Sequence, residues 1–106
     1  MTAWIFLALA GVFEVLFAAT LKLTENFTRL YPTLIFITFA ILSFYFLTKA
    51  IESIPLGTAY VIWTGIGAVG TVLVGIFFYN EPASFLRLFF ISTLVISIVG
   101  LKLVSN

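Results

Sequence analysis

One carboxylate stands inside the apolar run AGVFEVLFAATLK, residues 10–22. It is Glu14, and no other charge occurs from Ala3 to Leu21. Glu14 lies about eleven residues into a stretch long enough to cross a bilayer, which puts it near the bilayer centre. A carboxylate there costs at least ~2.5 kcal/mol on insertion scales, so intramembrane ionisable groups are by default functional. No Lys or Arg stands at matching depth in any other apolar run. Without a built-in counter-ion, the carboxylate is satisfied by a proton or by a cation arriving from outside. Glu14 is therefore read as a site where a proton and a cation compete.

Several residue types fit around it. Ala10, Gly11 and Ala18 fall at helical spacings of three and four from Glu14, so small side chains leave room on its face; they also suit close helix packing. Phe17, at i+3, either roofs the pocket or faces lipid. In AYVIWTGIGAVG, Tyr60 and Trp63 share a helical face near mid-depth. A phenol or indole in hydrocarbon needs a hydrogen-bond partner, which a carboxylate supplies, and aromatic faces attract organic cations. Gly65, Gly67 and Gly70 serve either close packing or a hinge. Ser43 either donates to Glu14 or bonds its own helix backbone.

The elements that hold these residues follow from composition. Of 106 residues, 63% are hydrophobic and 8% charged, and mean hydropathy is +1.29. Soluble domains carry about 25% charged residues, and a soluble bundle needs a polar face on every helix. The expected fold is an all-α membrane protein, a single domain over residues 1–106 with four transmembrane helices at about 3–22, 31–51, 56–79 and 85–104. The polar connections LTENFTRL, ESIPLG and NEPAS join them. Pro55 and Pro82 fall near helix starts, and Asn26 is expected to take a left-handed cap conformation. Runs of this length without period-2 alternation argue against a barrel.

The first span has no positive leading region and is interrupted by Glu14, so it is expected to be retained rather than cleaved as a signal peptide. With no Cys and no His, disulfides, thiolate chemistry and the commonest metal ligands are excluded. No metal site, cofactor or enzymatic activity is expected. A net charge of +1 with no basic stripe excludes nucleic acid as a partner. Glu25, Glu52 and Glu81 read as solvated loop charges. In the fourth span, Thr93 and Ser97 form a small-xxx-small pair with Gly100 a turn on, a pattern for helix–helix contact and here assigned to a dimer interface.

Four spans place both termini on one side, with Lys49 and Lys102; Lys22, Arg29 and Arg87 lie on the other. Orientation follows the cytoplasmic Lys/Arg excess, and two against three is almost none, so the chain is expected to insert both ways. Transport sites sit near the midplane between oppositely oriented halves. A chain this short supplies one half, and an antiparallel, dual-topology homodimer supplies both.

The pattern resembles the small multidrug resistance transporters over essentially the whole chain. The residues that carry the resemblance are FEV around Glu14, LK at 21–22, FTR at 27–29, PLGTAYVIWTGIGAVG at 55–70 and GLK at 100–102. The resemblance implies an antiparallel dimer in the bacterial inner membrane that exchanges protons for cations at the paired glutamates. Glu14 would be the shared proton and substrate ligand, and Ser43, Tyr60 and Trp63 would line the site. WTGIGAVG and GLK are more similar to the guanidinium exporter subtype than to the quaternary-ammonium subtype. At position 17 that subtype usually has Trp, and Phe17 lacks the indole donor. The resemblance thus implies proton-coupled export of guanidinium-type cations, and the departure at Phe17 adds an expected tolerance for hydrophobic quaternary ammonium compounds. A broad multidrug exporter and one half of a heterodimeric pair are the alternatives. A passive channel would need a polar lining that no span provides, and an accessory membrane subunit would need no central carboxylate in an aromatic shell.

Overall fold

The computed structural model describes residues 2–105. Four long helices form: α1 (Thr2–Leu21), α2 (Leu30–Ala50), α3 (Leu56–Phe78) and α4 (Phe85–Val104). Each is long and apolar enough to cross a membrane, since 20 residues at 1.5 Å rise cover about 30 Å, the hydrocarbon thickness. The expected all-α membrane architecture is the one the chain adopts, and no strand occurs among the described residues.

The helix ends follow local chemistry. Pro55 is the residue that precedes α3. Its missing N–H leaves no donor unsatisfied there. Ser84 caps α4, its hydroxyl accepting from the Arg87 backbone N–H. Pro82 stands just upstream, its carbonyl accepting from Arg87 Nη1 at 2.7 Å, while Arg87 Nη2 pairs with Glu81 at 2.6 Å. Glu81 is thus ion-paired rather than simply solvated. Glu25 likewise lies 3.5 Å from Arg29, with both side chains largely exposed.

The α1–α2 connection departs from the single left-handed cap expected at Asn26. Asn26 is left-handed (φ 63°), but Glu25 (48°) and Phe27 (66°) are too. Buried Thr24 holds this run together. Its hydroxyl donates to the Leu21 carbonyl at 2.7 Å and accepts from Phe27 N–H, and its carbonyl accepts from Thr28 and Arg29. At the same end, Tyr79 donates its hydroxyl proton to the Ala19 carbonyl at 2.7 Å, and Lys22 lies over the Tyr79 ring. These contacts tie the end of α3 to the end of α1.

α1 is the central helix, packed against both α2 and α3, whereas the backbone of α4 comes close to that of α3 alone and reaches α1 through Lys102, which lies over the Trp4 ring. The bundle is a slab, 42 × 35 × 17 Å. Its core gathers Leu7 and Ala10 of α1, Leu47 and Ala50 of α2, and Ala59, Ile62 and Trp63 of α3. Small residues set the spacing. Gly11 receives the Ile66 side chain, Gly70 receives Val15, and Gly65 receives Ile98 of α4. A methyl at any of them would overlap its neighbour, so all three work as close-approach sites. α3 runs unbroken from Leu56 to Phe78 through Gly65, Gly67 and Gly70.

α4 has no buried residue among those described. The hydroxyls of Thr93 and Ser97 turn back to the carbonyls of Phe90 and Thr93, and a Cβ at Gly100 would meet nothing within 4 Å. This face is open in the single chain.

Candidate functional site around Glu14

Glu14 is half-buried on α1, where it meets the backbone of α3 at Gly67. A Cβ built on Gly67 would overlap Oε1, Cδ and Cγ of the Glu14 side chain. The glycine therefore opens the space in which the carboxylate lies, which gives the middle glycine of GIGAVG a specific role in the geometry. Oε1 is buried and has no hydrogen-bond partner among the described residues. An unsatisfied buried acceptor of this kind is a cost the fold carries unless a ligand relieves it.

Beside the carboxylate, three helices are joined through two buried hydrogen bonds. Trp63 Nε1–H of α3 donates to Ser43 Oγ of α2 at 3.0 Å, and Ser43 Oγ–H donates to the Ala10 carbonyl of α1 at 2.7 Å. Ser43 is fully buried and Trp63 is 6% exposed. Ala10 is one turn before Glu14, so its carbonyl is also the acceptor that the Glu14 N–H uses in a regular helix. The serine thus neither donates to Glu14 nor bonds its own helix, the two alternatives its sequence context suggested. It bridges, because small residues on α1 let α2 come close at this level. Interhelical hydrogen bonds of this type contribute about 0.6 kcal/mol on average within membranes, and this pair also fixes the indole.

A continuous aromatic wall runs from this bridge. Tyr60 lies against Trp63 with ring centroids 5.5 Å apart, and Trp63 against Phe44 at 5.3 Å. Phe44 lies on Phe17 at 6.2 Å, and Phe17 meets Phe36 edge-on at 5.7 Å. Phe17 therefore packs onto α2 rather than facing only lipid. Such pairs contribute roughly 0.5–1.5 kcal/mol each beyond simple burial, and their faces present negative charge density to a cation. Tyr60 is 51% exposed, which leaves its edge of the wall accessible.

Phe36 and Phe44 were not singled out from sequence. The signal was present as the four-residue spacing Phe36, Ala40, Phe44 on one face of α2. The same face forms a groove of about 460 Å³ lined by Phe36, Ala40, Ile41, Phe44 and Tyr45. Elsewhere several hydroxyls within the spans bond their own helices: Thr20 to Leu16, Thr38 to Leu34, Thr48 to Tyr45 and Thr64 to Tyr60.

Comparison with known proteins gives this arrangement its context. Residues 2–101 match the family described as Small Multidrug Resistance protein. A protein of Proteus vulgaris named Guanidinium exporter is 48% identical over 103 residues, covering 97% of this chain and 99% of that one. Guanidinium exporters of Escherichia coli (strain K12) and Salmonella typhimurium are 46% and 48% identical over 101 residues, covering 95% of this chain and 96% of each. A family match over nearly the whole chain, on four helices able to cross a bilayer, identifies the chain as a multi-pass protein of the bacterial inner membrane that belongs to the small multidrug resistance family.

Proposed function

We propose that this chain exports small organic cations of the guanidinium type in exchange for protons, working as an antiparallel dimer with Glu14 of each subunit in a shared midplane site. The observation that carries this reading is the Glu14 carboxylate itself. It lies within a membrane-spanning helix, has no cationic partner among the described residues, and has one oxygen buried there without a hydrogen bond, one turn from the Ala10 carbonyl that anchors the Ser43–Trp63 bridge. A guanidinium or ammonium ion supplies both the charge and the donors that this oxygen lacks, and a proton does the same when the cation leaves. Because one carboxylate cannot be satisfied by both at once, loading one ion expels the other. The names of the relatives favour guanidinium as the small planar cation.

The dimer completes what one chain leaves open. The Thr93, Ser97 and Gly100 face of α4 is uncovered, and a second copy inserted the other way gives alternating access from two related halves. In such a pair the two carboxylates titrate as a unit. In the cycle, ionised glutamates take the cation from the cytoplasm, the dimer reverses its opening, and protons entering from outside displace the cation.

Phe17 favours a wider substrate range than guanidinium alone. It contributes an aromatic face from α1, packed on Phe36 and Phe44 of α2, and no donor, so bulkier singly charged ammonium compounds meet a compliant wall instead of a fixed hydrogen bond. The test is transport by the purified protein in liposomes under an imposed pH gradient, with guanidinium beside a tetraalkylammonium series. Gradient-coupled exchange of guanidinium supports the proposal. Flux that ignores the gradient points to a channel, and absence of flux to an accessory subunit or to a missing partner of opposite orientation.

A further inference from the structure

A groove on the membrane face of the bundle runs between α1, α3 and α4. Its inner part, of about 380 Å³, is lined by Val12, Leu16, Gly70 and Val95 among others. Its outer part, of about 200 Å³, is lined by Trp4, Ala8, Lys102 and Leu103. Ile66, Ile98 and Val99 line both parts, which makes them one continuous cleft. The cleft exists because the backbone of α4 packs on α3 and stands away from that of α1, so along most of its length the side of α4 that faces α1 is not covered by it. Val99 is 52% exposed on its rim.

Length and charge say what fits. From Trp4 to Leu16 the cleft follows α1 for about 18 Å at 1.5 Å per residue, close to the ~15 Å depth of one leaflet's hydrocarbon. Its lining is apolar throughout except at one end, where the Lys102 ammonium lies over the Trp4 ring, 5.0 Å from the centroid. Lys102 joins neither of the two ion pairs among the described residues. An apolar channel one leaflet deep, closed at the membrane surface by a cation and an interfacial tryptophan, has the form of an acyl chain below an anionic headgroup. A second copy of the chain is the weaker fit. At 3.6 residues per turn, Val95, Ile98 and Lys102 lie on the opposite side of α4 from Thr93, Ser97 and Gly100.

We infer that this cleft is a binding site for an anionic phospholipid, with one acyl chain between α1 and α4 and the phosphate held by Lys102. The lipid fills the gap that α1 and α4 leave between them beyond the Lys102–Trp4 contact. The site is independent of the Glu14 carboxylate, so it stands or falls without reference to the transported ion.

Native mass spectrometry of the full-length protein tests it. The protein is exchanged into detergent with equal amounts of phosphatidylglycerol and phosphatidylcholine carrying identical acyl chains, and retained lipids are counted. One Lys near the surface corresponds to about a fivefold preference for the anionic headgroup. Lys102→Gln is expected to bring the ratio close to one. Lys49→Gln, a charge removed at the same membrane face but away from the cleft, is expected to keep it. Val99→Trp, or the milder Val99→Phe, fills the cleft and is expected to lose both lipids while the oligomer persists. Unselective retention by the unaltered protein, or a ratio indifferent to Lys102→Gln, overturns the inference. So does a Val99 variant that keeps its lipid or falls apart into monomers, the latter marking the cleft as a contact between copies.

Discussion

In Gly67→Ala a single methyl group is added where the backbone of α3 meets the Glu14 carboxylate. The new Cβ would overlap Cγ, Cδ and Oε1 of Glu14. Because Cγ is among the three, rotating the terminal carboxylate does not relieve the clash, and the whole side chain must leave its position or α3 must move away from α1. Overpacking of this kind costs about 1–3 kcal/mol. Alanine in place of a helical glycine returns about 1 kcal/mol through helix propensity, so thermal stability is expected to change little. Transport has no such compensation, because the displaced group is the proposed ion ligand. If 1–3 kcal/mol of the site's binding geometry is lost, guanidinium exchange falls by about 5- to 150-fold. Gly57→Ala is the control, since a Cβ there meets nothing within 4 Å. The assay is gradient-driven guanidinium uptake into liposomes, read beside a thermal melt of the same preparations. Transport by Gly67→Ala at the level of Gly57→Ala would refute the placement of the carboxylate against Gly67. A large fall in melting temperature with proportionate loss of uptake would show that Gly67 matters for folding rather than for the site.

Other perturbations address the remaining parts of the mechanism. Glu14→Gln keeps the side-chain shape without the charge and is expected to abolish gradient-coupled uptake while membrane insertion and dimerisation persist. Glu14→Asp is expected to stay active with a shifted pH–rate profile, the shorter carboxylate lying at a different distance from Trp63 and Tyr60. Phe17→Trp introduces an indole donor beside Phe36 and Phe44, and relative transport of bulky ammonium compounds against guanidinium is expected to fall about tenfold, the worth of one hydrogen bond to a charged group; identical substrate profiles would place selectivity on α2. A tag on the C-terminus, probed from each side of the membrane, is expected to be accessible from both, and a single orientation would exclude the homodimer in favour of an oppositely inserted partner.

The helices were legible in sequence because hydrophobic runs about 20 residues long, broken by LTENFTRL, ESIPLG and NEPAS, leave few alternatives in a chain with so few charges. The local conformation of the first connection was not. Glu25, Asn26 and Phe27 all take positive φ, yet only Asn has a clear intrinsic tolerance for that region. What holds the run is a tertiary fact, the burial of Thr24 with its hydroxyl bonded in both directions. A propensity argument sees the residues of a turn and not the pocket that one of them fills.

The candidate site divides in the same way. Glu14 announces itself, since a lone charge in an apolar span is improbable without a use. Its surroundings depend on which faces of three helices meet, and a single-helix period does not specify that. Ser43 illustrates the gap: spacing allowed a bond to Glu14 or to its own helix, and the hydroxyl instead reaches the Ala10 carbonyl on α1 while accepting from Trp63. The decisive residues were the small ones. Ala10 and Gly11 bring α2 and α3 close to α1, and Gly67 then leaves an opening at the depth of the carboxylate. Glycine and alanine carry no chemistry of their own, so a search for reactive side chains passes over them. They nevertheless determine that Glu14 lies against the α3 backbone at Gly67 with no donor at Oε1 among the described residues, and a carboxylate so placed selects for a ligand that brings both charge and protons with it.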